Sequence, residues 1–393
     1  MSAPGLPLFP VTVVGSWPRP PELLRALRAL RAGRIDRPVF DAVADEAVLA
    51  ALRAQESAGV DLVSDGEQRR DNFIAFVAGR LENVRAVSLA ELLDYVSDKS
   101  AFEEILGSLD VPAFSMVNPA AVGPIARREP LALDEYRFLR RHTDRPIKVA
   151  LPGPYLLTRA MWVEGLSEAT YPTKEALADD VVRVLREELV DLRDAGVDFV
   201  QLDEPVLTEL VFTRRVANRT FMCGALAARQ DAEAELALAV DLLNRVVDGV
   251  DGVRTGLHVC RGNWSTQDEV LLAGPYTPLL DTLRRVRVDQ LVLEFATPRA
   301  GELAVLADRP APELGLGVVN PRTPEIEPPE QIVARAREAT SYFPPETIYL
   351  NPDCGFGTFA NRPMNDAATA TAKLRSIAEA ASLLRREFGS GSA

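Results

Sequence analysis

Histidine and cysteine are scarce: the chain has two histidines and three cysteines among 393 residues. Three thiols make a poor disulfide framework at this length, so Cys223, Cys260 and Cys354 are expected to be reduced, which fits the cytoplasm. Positive charge is also short. Lys and Arg number 44 against 57 Asp and Glu, a formal net charge of −13 with a pI near 4.9. An acidic surface argues against nucleic acid as a partner, because phosphates attract a basic face. It equally disfavours anionic membranes. No run of about 18 apolar residues occurs, so no membrane-spanning helix is expected. The opening "MSAPGLPLFPVTVVGSW" has no basic stretch ahead of a long apolar one, so no secretory leader is expected either.

What the chain does have is apolar residues, 47% of the total, enough for a large core. Short β-branched runs recur, each ending in Gly, Pro or an acidic residue. They are "VTVVGS" (11–16), "VDLVSDGE" (60–67), "IKVALPGP" (147–154), "VDFVQLDEP" (197–205), "VRTGLHVCRG" (253–262), "QLVLEFA" (290–296), "LGLGVVN" (314–320) and "IYLNPDCG" (348–355). Near-continuous apolar character marks strands buried on both faces, as in a parallel sheet. Helical patterns lie between the runs. Gly59 is placed to cap one of them, and Thr173 to open another that closes near Gly196. Eight strands alternating with helices predict an α/β fold, a (β/α)8 TIM barrel, as one domain over 1–393. The stretch 75–145 is longer than one crossover needs and reads as an insertion between the second and third strands. Residues 389–393 read as a flexible tail. An open doubly wound sheet is the alternative, but no G-x-G-x-x-G follows the first strand.

His258 and Cys260 stand two apart on the fifth strand, so their side chains share a face. Glu294 ends the sixth strand and Cys354 the eighth. In a barrel these ends converge on the rim that carries the chemistry. Imidazole and thiolate are ligands that select zinc over magnesium or calcium. Three firm ligands with one exchangeable position is the pattern of catalytic zinc. The competing reading is that H-x-C is a weak signal and a free cysteine a small core residue. Cys223 reads as structural, and His142 as an exposed histidine at a loop or helix end.

Taken together in order, "VVGSWPRP", "SDGEQRR", "QLDEP", "HVC", "LEF" and "NPDCG" resemble the catalytic, C-terminal half of the cobalamin-independent methionine synthase family. The short, single-barrel members are the more similar ones. The resemblance implies methyl transfer to the thiolate of homocysteine, held on Zn2+ by His258, Cys260 and Cys354 with Glu294 as a displaceable fourth ligand. It implies that Ser16, with Gly15, meets the amino-acid carboxylate, and that Glu67 and Asp203 hold the ammonium group. Glu204 and Asn320 complete the implied substrate-binding set. A bound cation away from water needs anionic partners, and Glu67 and Asp203 supply them. Each residue also has a structural reading: Ser16 as a helix cap, Asp203 and Glu204 as rim charges paired with Arg, Glu67 as a partner of Arg69 or Arg70.

The chain departs from the full-length family in three places. It starts directly at the catalytic half. Trp162 falls late for a residue meant to stack on a pterin and reads as helix packing. The seventh strand offers Asn320 and Arg322 in "VVNPRTPE" where the family usually has a histidine. The thiol half therefore matches better than the donor half, and the implied donor is methylcobalamin, a corrinoid protein or 5-methyltetrahydrofolate. Two rivals follow. One is alkyl transfer to coenzyme M, whose sulfonate would call on Arg19, Arg261 or Arg322. The other is a non-catalytic barrel that binds a thiol or an amino acid.

Overall fold

The computed structural model describes residues 5–95, 99, 117–212, 231–268, 271–357, 359–360 and 363–389. Six strands form one parallel sheet in chain order: β3 (Lys148–Pro152), β4 (Phe199–Asp203), β5 (Arg254–Val259), β6 (Gln290–Leu293), β7 (Glu313–Val319) and β8 (Ile348–Pro352). Before them, β1 (Leu81–Ser88) and β2 (Val117–Arg127) pair antiparallel. The six parallel strands coincide with the last six apolar runs. Every residue of β3, β4, β6, β7 and β8 is buried, as expected for strands covered on both faces.

The first two runs behave differently. The strands expected at 11–16 and 60–67 narrow to isolated parallel bridges: Val11 with Leu350 of β8, Thr12 with Leu62, and Val63 with Ile147 beside β3. Backbone bonds still reach both neighbours, from the Thr12 N–H to the Leu350 carbonyl at 2.9 Å and from the Lys148 N–H to the Val63 carbonyl at 2.8 Å, and side chains add to them. Asp61 Oδ2 accepts the Val11 N–H at 2.8 Å, and Thr12 Oγ1 donates to the Leu62 carbonyl at 3.0 Å. Asp61 also pairs with Arg385 near the chain's end, so one carboxylate ties the first segment to the last helix.

The helices follow the sequence pattern. Pro21–Arg31 and Arg37–Ala58 pack on each other through Leu23, Ala26, Phe40, Ala44 and Ala47. Gly59 ends the second helix at φ 88°, a left-handed cap that a Cβ would strain. Thr173 opens Lys174–Asp194 by accepting from the Ala176 N–H. Ala232–Val247, Pro329–Thr340 and Ala367–Gly389 complete the cover. Among the described residues no helix is long and apolar enough to cross a membrane. The stretch 75–145 holds β1, β2, a 3-10 turn at Ala75–Gly79 and the helix Leu133–Arg140. Cys223 and residues 390–393 lie outside the described residues.

Asp61→Ala should destabilise the chain by about 2 kcal/mol, since the Val11 amide and the Arg385 guanidinium lose a charged partner together. Urea unfolding measures this. A midpoint unchanged from the parent would show that these links do not hold the segment.

Candidate metal centre and its carboxylate neighbours

In an open or closed α/β sheet, function collects at the carboxyl ends of the parallel strands. His258 lies within β5 and Cys260 just past its end; Cys354 follows β8. Their ligand atoms, one imidazole nitrogen and two sulfurs, all lie within 4.8 Å of one another. Both cysteines are free thiols.

The imidazole is oriented from behind. His258 Nδ1 lies 3.0 Å from the Val292 carbonyl. A carbonyl only accepts, so Nδ1 carries a proton and Nε2 is the nitrogen left free of the backbone. That Nε2 is buried and has no hydrogen-bond partner. An orphaned buried acceptor beside two thiols is what an imidazole ligand looks like from the protein's side. Burial by itself pushes the imidazole's pKa down, but the Cys260 sulfur, Asp203 and the Val292 carbonyl overcome it and raise the value to about 9. Cys260 moves the opposite way. A hydrogen bond from Cys354, aided by His258, holds its thiol well below the ordinary range despite burial. Cys354, as the donor to Cys260 and itself buried, is pushed up. The trio thus brings two sulfurs and an imidazole nitrogen without a hydrogen-bond partner together, a set that can hold one soft or borderline divalent ion.

Glu294 borders this trio but is not part of it. Its Oε1 accepts from Arg261 at 2.9 Å, and its Oε2 from Asn263 at 2.9 Å and Arg299 at 3.3 Å. These partners hold its carboxyl pKa down although burial favours the neutral form.

Asp203 ends β4 in direct register with His258. Its Oδ1 accepts from Gln201 at 2.8 Å. Burial raises its pKa to about 6, with His258 opposing. Glu67 is electrostatically coupled to Asp203, and burial again raises its pKa, with Arg70 opposing. Its backbone sits at φ 54°, directly after Gly66 at φ 68°. A non-glycine residue there is strained by roughly 1–2 kcal/mol, a cost concentrated at functional sites. The strain lets the carboxylate reach Gly15, where an added Cβ would stand 2.2 Å from Glu67 Oε1. Ser16 backs onto the loop after Cys354: its carbonyl accepts from the Phe356 N–H at 2.8 Å and the Gly357 N–H at 3.2 Å.

Asp203 thus stands beside His258, Ser16 against the loop after Cys354, and Gly15 against Glu67. Glu204 serves another purpose. Its carboxylate takes the Tyr155 N–H at 2.7 Å and the Leu156 N–H at 3.0 Å, at the start of the helix Pro154–Met161. Asn320 closes a turn, its Oδ1 accepting from the Arg322 N–H at 3.0 Å. Trp162 donates to the Tyr171 carbonyl and packs at its helix end. His142 is exposed, its Nδ1 on the Phe138 carbonyl.

Sequence patterns missed several supporting groups. Asp353 is buried beside Cys354 and accepts from the Phe295 and Ala296 amides at 2.9 and 3.0 Å. Arg70 forms a buried pair with Glu135, 2.7 Å apart, over the ring of Phe76. Lys148 is fully enclosed in β3. Its signal was a single charge inside the apolar run "IKVALPGP".

With this geometry in place, a family model described as cobalamin-independent synthase, catalytic domain, matches residues 9–382. The chain belongs to that family. A methionine synthase of Thermococcus kodakarensis is 32% identical over 98% of this chain and 95% of its own length. One of Pyrococcus abyssi is 31% identical over the same shares. A solved B12-independent methionine synthase of Shewanella sp. W3-18-1, in complex with selenomethionine, is 21% identical. It superposes with a TM-score of 0.71 over 98% of this chain and 99% of that one. At that identity the likeness shows the family's fold.

In metal-free protein, the ultraviolet absorbance of a thiolate should persist as pH falls below the usual thiol range near 8.5 and should vanish in Cys260→Ser. A lowered pKa keeps the anion present at lower pH. Cys354→Ala removes the hydrogen bond that stabilises it and should shift the titration upward. A Cys260 that titrates as an ordinary thiol would refute the arrangement.

Proposed function

We propose that the chain transfers a methyl group to the thiol of homocysteine, forming methionine. The observation that carries this is the trio His258, Cys260 and Cys354, with an orphaned Nε2, set beside two buried carboxylates that have spare acceptor capacity. Zinc is the ion that such a nitrogen and sulfur set suits. Bound there, it supplies the Lewis acidity that keeps a substrate thiol ionised near neutral pH. Glu294, steadied by Arg261, Asn263 and Arg299, is the displaceable fourth ligand of the proposed set.

Glu67 and Asp203 bind the ammonium group, and the turn at Gly15 and Ser16 meets the carboxylate. Glu204 holds the neighbouring helix start from behind, and Asn320 borders the site from the end of β7. Holding both ends of the amino acid aims its sulfur at the donor methyl and removes an entropic barrier. The carbon–sulfur bond forms as the donor's bond to the methyl breaks, and the electron pair leaves with the donor. An amine leaving from a folate must also gain a proton. Asn320 and Arg322 supply no acid at neutral pH, and Arg322 is committed to Asp268 at 2.7 Å. A methylated corrinoid leaves without a proton, which favours that donor over 5-methyltetrahydrofolate.

The arginines that a sulfonate acceptor would use are spoken for. Arg19 donates to the Gly357 and Glu67 carbonyls, and Arg261 to Glu294. This supports an ammonium-bearing acceptor over coenzyme M. On the same proposal the bridges at Val11, Thr12 and Val63 close the sheet into a single (β/α)8 domain. The stretch 75–145 is its insertion, and the cytoplasm keeps its thiols reduced.

Purified protein should carry about one zinc per chain, and serine at Cys260 or Cys354 should lower that content. Glu67→Gln and Asp203→Asn should each raise the homocysteine KM by roughly tenfold or more, the loss of one charge-assisted bond. Methionine formation from homocysteine, with methylcobalamin and methyltetrahydrofolate run side by side, tests the reaction and separates the donors. No methionine from either would refute it.

A further inference from the structure

Lys148 stands in β3 beneath the carboxylates, enclosed on all sides. Its Nζ donates to the Val13 carbonyl at 3.0 Å and to Gln201 Oε1 at 3.3 Å, 4.8 Å from the centre of the Phe199 ring. Both hydrogen-bond acceptors are neutral oxygens, an unusual setting for a buried ammonium. Gln201, two residues before Asp203 on the same face of β4, uses its whole amide. Nε2 donates to the Val14 carbonyl at 2.9 Å and to Asp203 Oδ1 at 2.8 Å, and Oε1 accepts from Lys148.

This network fixes which way the amide points. Turned over, Gln201 would aim its oxygen at the Val14 carbonyl and the Asp203 carboxylate, and its NH2 at the ammonium of Lys148. Every contact would then set like against like. The Val14 carbonyl and the Asp203 carboxylate fix the amide's direction, and Lys148 reinforces it by donating to Oε1 while its bond to the Val13 carbonyl ties the same network to the neighbouring turn. The consequence reaches the site at two points. Val13 and Val14 lead straight into Gly15 and Ser16, and Gly15 packs against Glu67. Asp203 is the other end of the thread.

We propose that Lys148, acting through Gln201, is a positioning residue that locks Asp203 and the Gly15–Ser16 turn in one arrangement and so sets selectivity for a thiol acceptor that bears an ammonium group. This rests on the function proposed above.

The test compares Lys148→Met and Gln201→Met with the parent as metal-loaded full chains. Two acceptors are used, homocysteine and the same thiol acid lacking the amino group. In each variant the homocysteine KM should rise about tenfold, as expected for loss of one charge-assisted link. The KM for the methyl donor should hold, and the preference for homocysteine over the des-amino thiol should fall by the same factor. Calorimetric binding of both thiols reads that preference without turnover. Equal losses on both thiols, or a preference kept by Gln201→Met, would overturn the proposal. Gln201→Met leaves Lys148 in place, so a preference it keeps overturns the proposal even should Lys148→Met prove unstable. A parent that methylates neither thiol refutes the function itself. A parent that does so, with variants of unchanged preference, refutes only the role of Lys148.

Discussion

Negative charge removed from water must meet donors, and the carboxyl ends of these strands bury a great deal of it. Most of the carboxylates are fully matched. Glu204 takes two amides at a helix start, Asp353 takes two amides after β6, Glu135 takes Arg70, and Glu294 takes two guanidinium groups and an amide. Those groups are structural in effect: each fixes a loop or helix against a strand end. Glu67 and Asp203 are matched incompletely. Asp203 has one amide donor, and burial lifts its pKa and that of Glu67, as it also does at Glu204 and Asp353. On the function proposed here, these two buried acceptors are where the substrate's ammonium group binds.

The same accounting separates ligand from bystander among the soft groups. The Val292 carbonyl consumes one nitrogen of His258 and leaves the other open. Cys354 gives its proton's hydrogen bond to Cys260 and lowers that thiol's pKa. Nothing comparable happens at His142, whose ring lies against Phe138 in the open. With only two histidines in the chain, local context is what distinguishes them.

How much of this was legible in the sequence depended on how local the signal was. The six strands from β3 to β8 were readable because burial on both faces leaves uninterrupted apolar runs. The first two were overread. Their runs are as apolar and their backbone bonds reach both neighbours, but the pairing is confined to isolated bridges. His258, Cys260 and Cys354 were legible because few residue types bind soft metals and the chain has so few of them. Glu204 and Asp203 were not separable, since adjacent acids in "QLDEP" point to opposite faces and only the fold says which one finds amides. Arg70 and Glu135, 65 residues apart in sequence, carry no local signature at all. Lys148 did, as a lone charge in an apolar strand, and its partners became visible only with the register of β3 and β4.

That register also explains why the two halves of the site work as one. Asp203 and His258 are opposite each other on neighbouring parallel strands, a spacing of about 4.8 Å. A ligand that reaches Asp203 with a cation can therefore place a sulfur near the trio within the length of a short amino-acid side chain. Strand pairing, the stiffest element of the fold, sets the distance between Asp203 and the trio, and so, on the proposed function, between ammonium and sulfur. Loops cannot drift it without breaking ladder hydrogen bonds. What the loops do control is orientation, through the strained turn at Gly66 and Glu67 and the stacked turns at Ser16 and Gly357. Arg19 pins those turns together by donating to the carbonyls of Glu67 and Gly357. Distance is thus fixed by the sheet and direction by the turns, and both resist the repulsion of two carboxylates held side by side.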